Sequence, residues 1–277
     1  MANAETEVSD KPSLTEREVM DIEERTQPRT PVIYEVVRRQ GDEELSRPLT
    51  SLWWSSLAAG LSTSFSLLAQ GLLHMRLPDA NWRPLVEAVG YPVGFLMVIL
   101  SRQQLFTENT ITVVLPVMRE PSARNIWRLA RLWSVVFIAN LAGTLISAGF
   151  CQFAPALTPE TREAMLEISR EMMANPLSHM FFKGIASGFL IATMVWTIPS
   201  AEAAKFYIIA LLTYLITLGG FTHIVAGSME AFLLMVNGEL SPSDVVLRFT
   251  LPVLCGNIVG GTVLFALISH AQVMSEI

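Results

Sequence analysis

The chain has 277 residues, 51% of them hydrophobic and only 16% charged, a balance unlike that of a soluble globular domain. Residues 1–50 carry 12 acidic and 7 basic side chains, so only 25 of the 44 charged residues are spread over the remaining 227 positions. The net charge of −6 argues against a nucleic-acid surface, and no nucleic-acid partner is expected.

Residues 1–50 read as a polar cytoplasmic tail, too acidic to be a cleavable signal peptide. Ser13 and Glu16 have capping-box spacing, and Pro31 suits the first turn of a second helix with an apolar face of Val32, Ile33, Val36 and Val37. Two readings stay open: a solvated tail with transient helix, or a Val-rich face that packs on the membrane domain.

Residues 51–270 read as an all-α transmembrane domain, followed by a short cytoplasmic tail at 271–277. Six apolar stretches suggest six spans: Leu52–His74, Leu85–Met118, Trp127–Phe153, Pro176–Pro199, Ala204–Asn237 and Val245–Ser269. The second and fifth, at 34 residues each, would be about 51 Å long as straight helices, well beyond the ~30 Å hydrocarbon core. Polar or small residues interrupt both, at 101–109 and at 219–228, and predict broken helices whose exposed backbone lines a cavity. Phe106-Thr107 and Phe221-Thr222 lie 115 residues apart, and Asn140 and Asn257 lie 117 apart. That near-constant offset, with three spans in each half, predicts an inverted repeat. Eight basic residues on the side of the N-terminus against five on the other place both termini in the cytoplasm.

Ionisable groups at hydrocarbon depth are functional candidates because they are costly there. They are Glu108, His223 and Lys183, with Arg102 beside the first break. Glu108 and Arg102 either pair with each other or satisfy loop amides, or else face the path. His223 sits in the second break beside Thr222 and the small residues Ala226, Gly227 and Ser228, either as a hydrogen bonder between helices or on the translocation path, where its imidazole can donate a hydrogen bond or a proton to a passing anion and let it cross as the neutral acid. Lys183 is explained equally by snorkelling and by a role in a vestibule. Asn140 and Asn257 read first as packing glue, and Cys151 and Cys255 as small buried side chains. No catalytic motif, disulfide framework, metal site or cofactor site is present in the sequence, and no enzyme activity is expected.

The segment Gly90-Tyr91-Pro92-Val93-Gly94 leading to Leu105-Phe106-Thr107-Glu108-Asn109 resembles the second helix and Leu-Phe-Thr-x-Asn loop of the formate/nitrite transporter family. His223 with Ala226, Lys183-Gly184-Ile185 and Gly256-Asn257-Ile258-Val259-Gly260-Gly261 resemble the family's fifth, fourth and sixth helices. The likeness spans about residues 41–270 and, with its polar N-terminus and Gly41 to Pro48, is greatest to the YfdC-like branch.

The resemblance implies an aquaporin-like inverted repeat with broken second and fifth helices. It also implies a homopentamer around a lipid-plugged centre in the bacterial inner membrane, with one pore per subunit. The pathway residues it implies are His223, Thr107, Lys183, Phe106, Leu105, Asn109, Thr222, Glu108 and Asn257, with His223 meeting Thr107 at the centre and Lys183 drawing anions into the outer vestibule. Two departures stand out, Gly227 and Gly188 at usual Asn positions, each expected to remove a polar contact near the path. Glu108 fills the variable loop position and is expected to be protonated or paired. The function expected is a channel or proton-coupled transporter for a small monovalent anion or weak acid such as formate or nitrite. A pore for water or a neutral solute, and a non-conducting scaffold or sensor, are the alternatives.

Overall fold

The computed structural model describes residues 15, 17, 18, 20 and 28–276, and no strand occurs among them. In chain order the helices are α1 (Thr30–Ser46), α2 (Leu49–His74), α3 (Arg83–Leu100), α4 (Val114–Arg119) and α5 (Ala123–Phe153), followed by α6 (Pro159–Met173), α7 (Leu177–Ser200), α8 (Lys205–Leu218), α9 (Ile224–Val236) and α10 (Pro242–Glu276). Five of them, α2, α3, α5, α7 and α10, are long and apolar enough to cross a bilayer. At 14 and 13 residues, α8 and α9 reach only about 20 Å each.

The stretch expected as one span from Leu85 to Met118 is helical only to Leu100 and again from Val114, with turns and a short 3-10 segment between. The stretch from Ala204 to Asn237 divides at residues 219–223. Residues 271–276, expected as a tail, continue α10.

Two close helix crossings organise the core. A Cβ on Gly60 of α2 would run into the backbone of Asn140 on α5, and one on Gly188 of α7 would run into the backbone of Asn257 on α10. Only glycine lets these backbones approach so closely, and each contact sets an asparagine at the crossing.

The helix α6 is absent from the expected spans. Thr158 caps it by accepting the Thr161 N–H, and Pro159 takes its first turn. Thr161, Ala164, Met165, Leu166, Ser169 and Met173 form its buried face, which packs on the second half of α2 and on α9. A bidentate ion pair from Arg170 to Glu239, at 2.8 and 2.7 Å, ties α6 to the turn after α9 and holds the Glu239 carboxyl below its ordinary range.

The N-terminal helix α1 is docked through Tyr34, Val37, Gly41 and Leu45, whose spacing of three and four makes one face. Val32 and Val36, expected on that face, are exposed. The Tyr34 hydroxyl meets His270 Nδ1 at 2.8 Å. Glu35 is clasped by Arg38 and Arg39, which push its carboxyl down to about 2, and lies 3.6 Å from Arg119 beyond α4's core face. The Ser13–Glu16 capping box lies outside the described residues; Thr15 and Glu18 instead cap each other reciprocally. Cys151 is buried, whereas Cys255 is exposed on the chain's own surface.

Candidate functional site

Two chain interruptions with the same local chemistry build the site. The helix α3 closes with the Gln103 N–H donating to Val98 C=O and the Arg102 N–H to Ile99 C=O, with Arg102 at φ 54°. The helix α8 closes in the same way, Phe221 to Ile216 and Gly220 to Thr217, with Gly220 at φ 59°. A left-handed residue stopping a helix by this pair of bonds is the usual work of glycine, and Arg102 adopts it at a cost of about 1 kcal/mol.

Each interruption is then clamped by one buried asparagine. Asn140 Oδ1 accepts the Phe106 N–H at 2.9 Å, and its amide donates to the carbonyls of Ser56 and Gln104 at 2.7 and 2.9 Å. Asn257 Oδ1 accepts the Ile224 N–H at 2.9 Å, and its amide donates to the carbonyls of Gly184 and Thr222 at 2.8 and 3.1 Å. Non-helical backbone buried at this depth needs such partners, so the asparagines are more than packing glue. The two sets of bonds equate Arg102 with Gly220, Gln104 with Thr222 and Phe106 with Ile224, an offset of 118. The match of Phe106-Thr107 to Phe221-Thr222 is therefore three residues out of register, because the loops align by backbone bonding and not by side-chain likeness.

The two loops meet at a hydrogen bond of 2.7 Å between Thr107 Oγ1 and His223 Nε2, both residues buried. His223 also caps α9, its Nδ1 accepting the Ala226 N–H at 3.1 Å. That acceptor role fixes the ring's neutral tautomer with its proton on Nε2, so His223 donates to Thr107. The Thr107 hydroxyl proton has no other partner among the described residues. Phe95 of α3 packs edge-on against the imidazole, ring centroids 5.0 Å apart.

One cavity adjoins each of the two loops. One of about 250 Å³ is lined by Lys183, Thr222, His223, Gly227, Glu230 and Phe249 among others, and one of about 510 Å³ by Arg102, Gln104, Glu108, Asn109, Glu202 and Lys205 among others. Lys183 Nζ donates to Asn175 Oδ1 at 2.7 Å. Thr222 spends its hydroxyl on the Met180 carbonyl, 2.8 Å away. Asn109 joins Gln104 and Thr112 through its side chain and Trp133 through its carbonyl. The carboxyl of Glu108 has neither an ion-pair nor a hydrogen-bond partner among the described residues, and Arg102 does not pair with it. Leu105 and Phe106 are buried and line neither cavity; Phe106 stacks on Trp133 and Phe137 of α5. Asn257 also lines neither, because its amide is turned to the backbone of the loop and to the Gly184 carbonyl of α7.

Three lining or packing residues escaped the sequence reading. Glu230, 8% exposed, lies seven residues after His223 on α9, and its signal is that of an acid inside an apolar stretch. Phe95 and Phe249 carry no signal that separates them from ordinary core aromatics. Gly227 lines the Lys183 cavity, and a Cβ there would meet the Phe249 ring at 2.8 Å, so that aromatic stands where a larger side chain would project. Gly188 faces the Asn257 backbone and lines neither cavity, so the expected loss of a polar contact beside the path does not apply there. Gly188→Asn should force α7 and α10 apart and lower stability by about 1–3 kcal/mol, read as a reduced midpoint of thermal unfolding in detergent.

The formate/nitrite transporter family model matches residues 31–271. The chain is 48% identical over 254 residues to "Inner membrane protein YfdC" of Escherichia coli strain K12, covering 92% of this chain and 82% of that protein. Among solved structures, "FNT family ion channel" aligns with a TM-score of 0.74 at 21% identity, covering 88% of this chain and 98% of that one. "Pentameric formate channel with formate bound" aligns at 0.69 and 20%, covering 82% and 98%. These two share the fold, and the extent of the family match settles membership: the chain belongs to the formate/nitrite transporter family of membrane transporters.

Proposed function

We propose that the chain is a pore for small monovalent weak acids such as formate, with Thr107 and His223 at its narrowest point. The observation that carries this reading is the 2.7 Å bond between them, made where the two loops meet, each loop with a cavity against it. In this reading six spans cross the membrane, two of them broken: α3 continues through its loop into α4, and α8 through its loop into α9. The equivalent helix closures and asparagine clamps support an inverted repeat. The N-terminus is cytoplasmic, so the Glu108 cavity, which α1 helps to line, opens inwards. Residues 1–50 are the cytoplasmic part and 51–270 the pore domain. By analogy with the pentameric formate channel that shares its fold, the chain forms a homopentamer in the bacterial inner membrane, with lipid closing the centre.

An ion forced through this buried constriction loses its hydration, at a cost of several kcal/mol. A neutral acid avoids that cost. The Ala226 N–H donates to His223, His223 to Thr107, and the Thr107 hydroxyl is left to donate to the substrate's oxygen. Protonating His223 at Nδ1 would set two donors against each other at the cap of α9. The ring therefore works as a fixed neutral donor, and the substrate's proton comes from elsewhere. Lys183 gathers the anion in the outer cavity, Asn109, Thr222 and Glu108 shape the two approaches, and Leu105, Phe106 and Asn257 hold the loops.

Purified protein in liposomes should take up formate, nitrite and short carboxylates without measurably faster swelling in a neutral solute such as glycerol. Swelling without acid uptake would favour a neutral-solute pore, and neither would favour a scaffold.

A further inference from the structure

The Lys183 cavity holds more carboxyl groups than an anion path would be expected to keep: Glu87, Glu171 and Glu230 against one lysine. Glu87 is engaged by Arg83, and Glu171 is exposed at the rim. Glu230 differs from both. It is 8% exposed, projects from the buried second turn of α9 into the cavity that also contains His223, and has no hydrogen-bond or ion-pair partner among the described residues. Removing a carboxylate from water without a partner is costly, and the neutral acid form relieves that cost. The groups facing it are few. Of the elements packed on α9, α6 brings Glu171 to the cavity, and across the cavity α3 brings Glu87 and Tyr91 and α7 brings Lys183, itself bonded to Asn175. The helices α2 and α10 present Gln70 and Phe249, and α5 presents nothing. His223 lies in the same cavity, but its Nδ1 is committed to the cap of α9.

We infer that Glu230 is the residue that hands a proton to the substrate anion in the Lys183 cavity. This rests on the weak-acid reading of the pore. The step is a simple exchange: the O–H bond of the Glu230 carboxyl breaks, a new O–H bond forms on the carboxylate of formate, and the neutral acid moves on to Thr107 and His223. The Glu230 carboxylate left behind takes a proton from water of the outer cavity, and the acid ionises in the water of the inner one. One proton and one anion cross per cycle, with no net charge moved.

The test uses full-length protein in liposomes, labelled formate as the probe and a pH dye in the lumen. Glu230→Gln keeps the shape and removes the exchangeable carboxyl proton, and should lower acid-stimulated formate uptake and the accompanying acidification by roughly tenfold or more. Glu230→Asp should keep part of both with a displaced pH profile, and it carries the test if Glu230→Gln fails to assemble. Uptake by Glu230→Gln at or above the wild-type rate, with the same acidification, would overturn the inference and leave the carboxylate as a mere obstacle to anions. Wild-type protein that passes no small acid would bring down the weak-acid reading itself, a result distinct from the first.

Discussion

His223→Phe should abolish uptake of formate-like acids, by about a hundredfold or more, equal to roughly 2.7 kcal/mol or more of lost stabilisation at the constriction. The change deletes the Nε2–H that positions the Thr107 hydroxyl and leaves a ring with no donor packed against Phe95. It also removes the acceptor for the Ala226 N–H, at about 1 kcal/mol of helix stability. His223→Asn separates these effects, since asparagine is a good helix cap and retains an N–H donor. That variant should fold like wild type and keep a reduced flux. Thr107→Val should fall between the two, because it removes one hydroxyl and leaves the imidazole. Liposome uptake at a fixed pH gradient gives the order directly; a His223→Phe protein with the wild-type rate would return His223 to a purely structural role.

Asn257→Leu should be the most destabilising of the loop substitutions, at about 3–5 kcal/mol. It leaves the Ile224 N–H and the carbonyls of Gly184 and Thr222 buried without their partner. Asn140→Leu should cost a similar amount through Phe106, Ser56 and Gln104. At roughly 2–4 °C per kcal/mol for a chain of this size, thermal unfolding in detergent should shift by about 10 °C. Because each asparagine holds the loop that carries one partner of the Thr107–His223 bond, flux should fall along with stability. An unchanged unfolding midpoint would mean that the loops are held by something other than these amides.

Much of this was legible in the sequence for a physical reason. Two apolar stretches of 34 residues are too long for one crossing, and the polar residues inside them had to be answered by protein, which is where Asn140 and Asn257 stand. The meeting of Thr107 with His223 came from a family resemblance; nothing in the spacing of two residues 116 positions apart requires them to touch. The register between the halves is not legible from side chains, because Phe-Thr recurs with an offset of 115 while the fold aligns Arg102 with Gly220 by backbone conformation. The helix α6 lies outside any reading by apolar length because at 15 residues it is too short and too charged to be a span, although its Glu, Ala, Met and Leu content and Thr158-Pro159 mark an amphipathic helix and its start. Gly188 reads in sequence as a missing amide, whereas its Cβ position is filled by the backbone of a neighbouring helix, a fact visible only in three dimensions.

Passage of the substrate by Thr107 and His223 as a neutral acid is tested most directly by the coupling of flux to charge. In liposomes with a potassium gradient and valinomycin, formate uptake should be insensitive to the imposed membrane potential, rise as the outside is acidified, and acidify the lumen in step with formate gained. Uptake that follows the potential with no acidification of the lumen would show a bare anion crossing, and would contradict it.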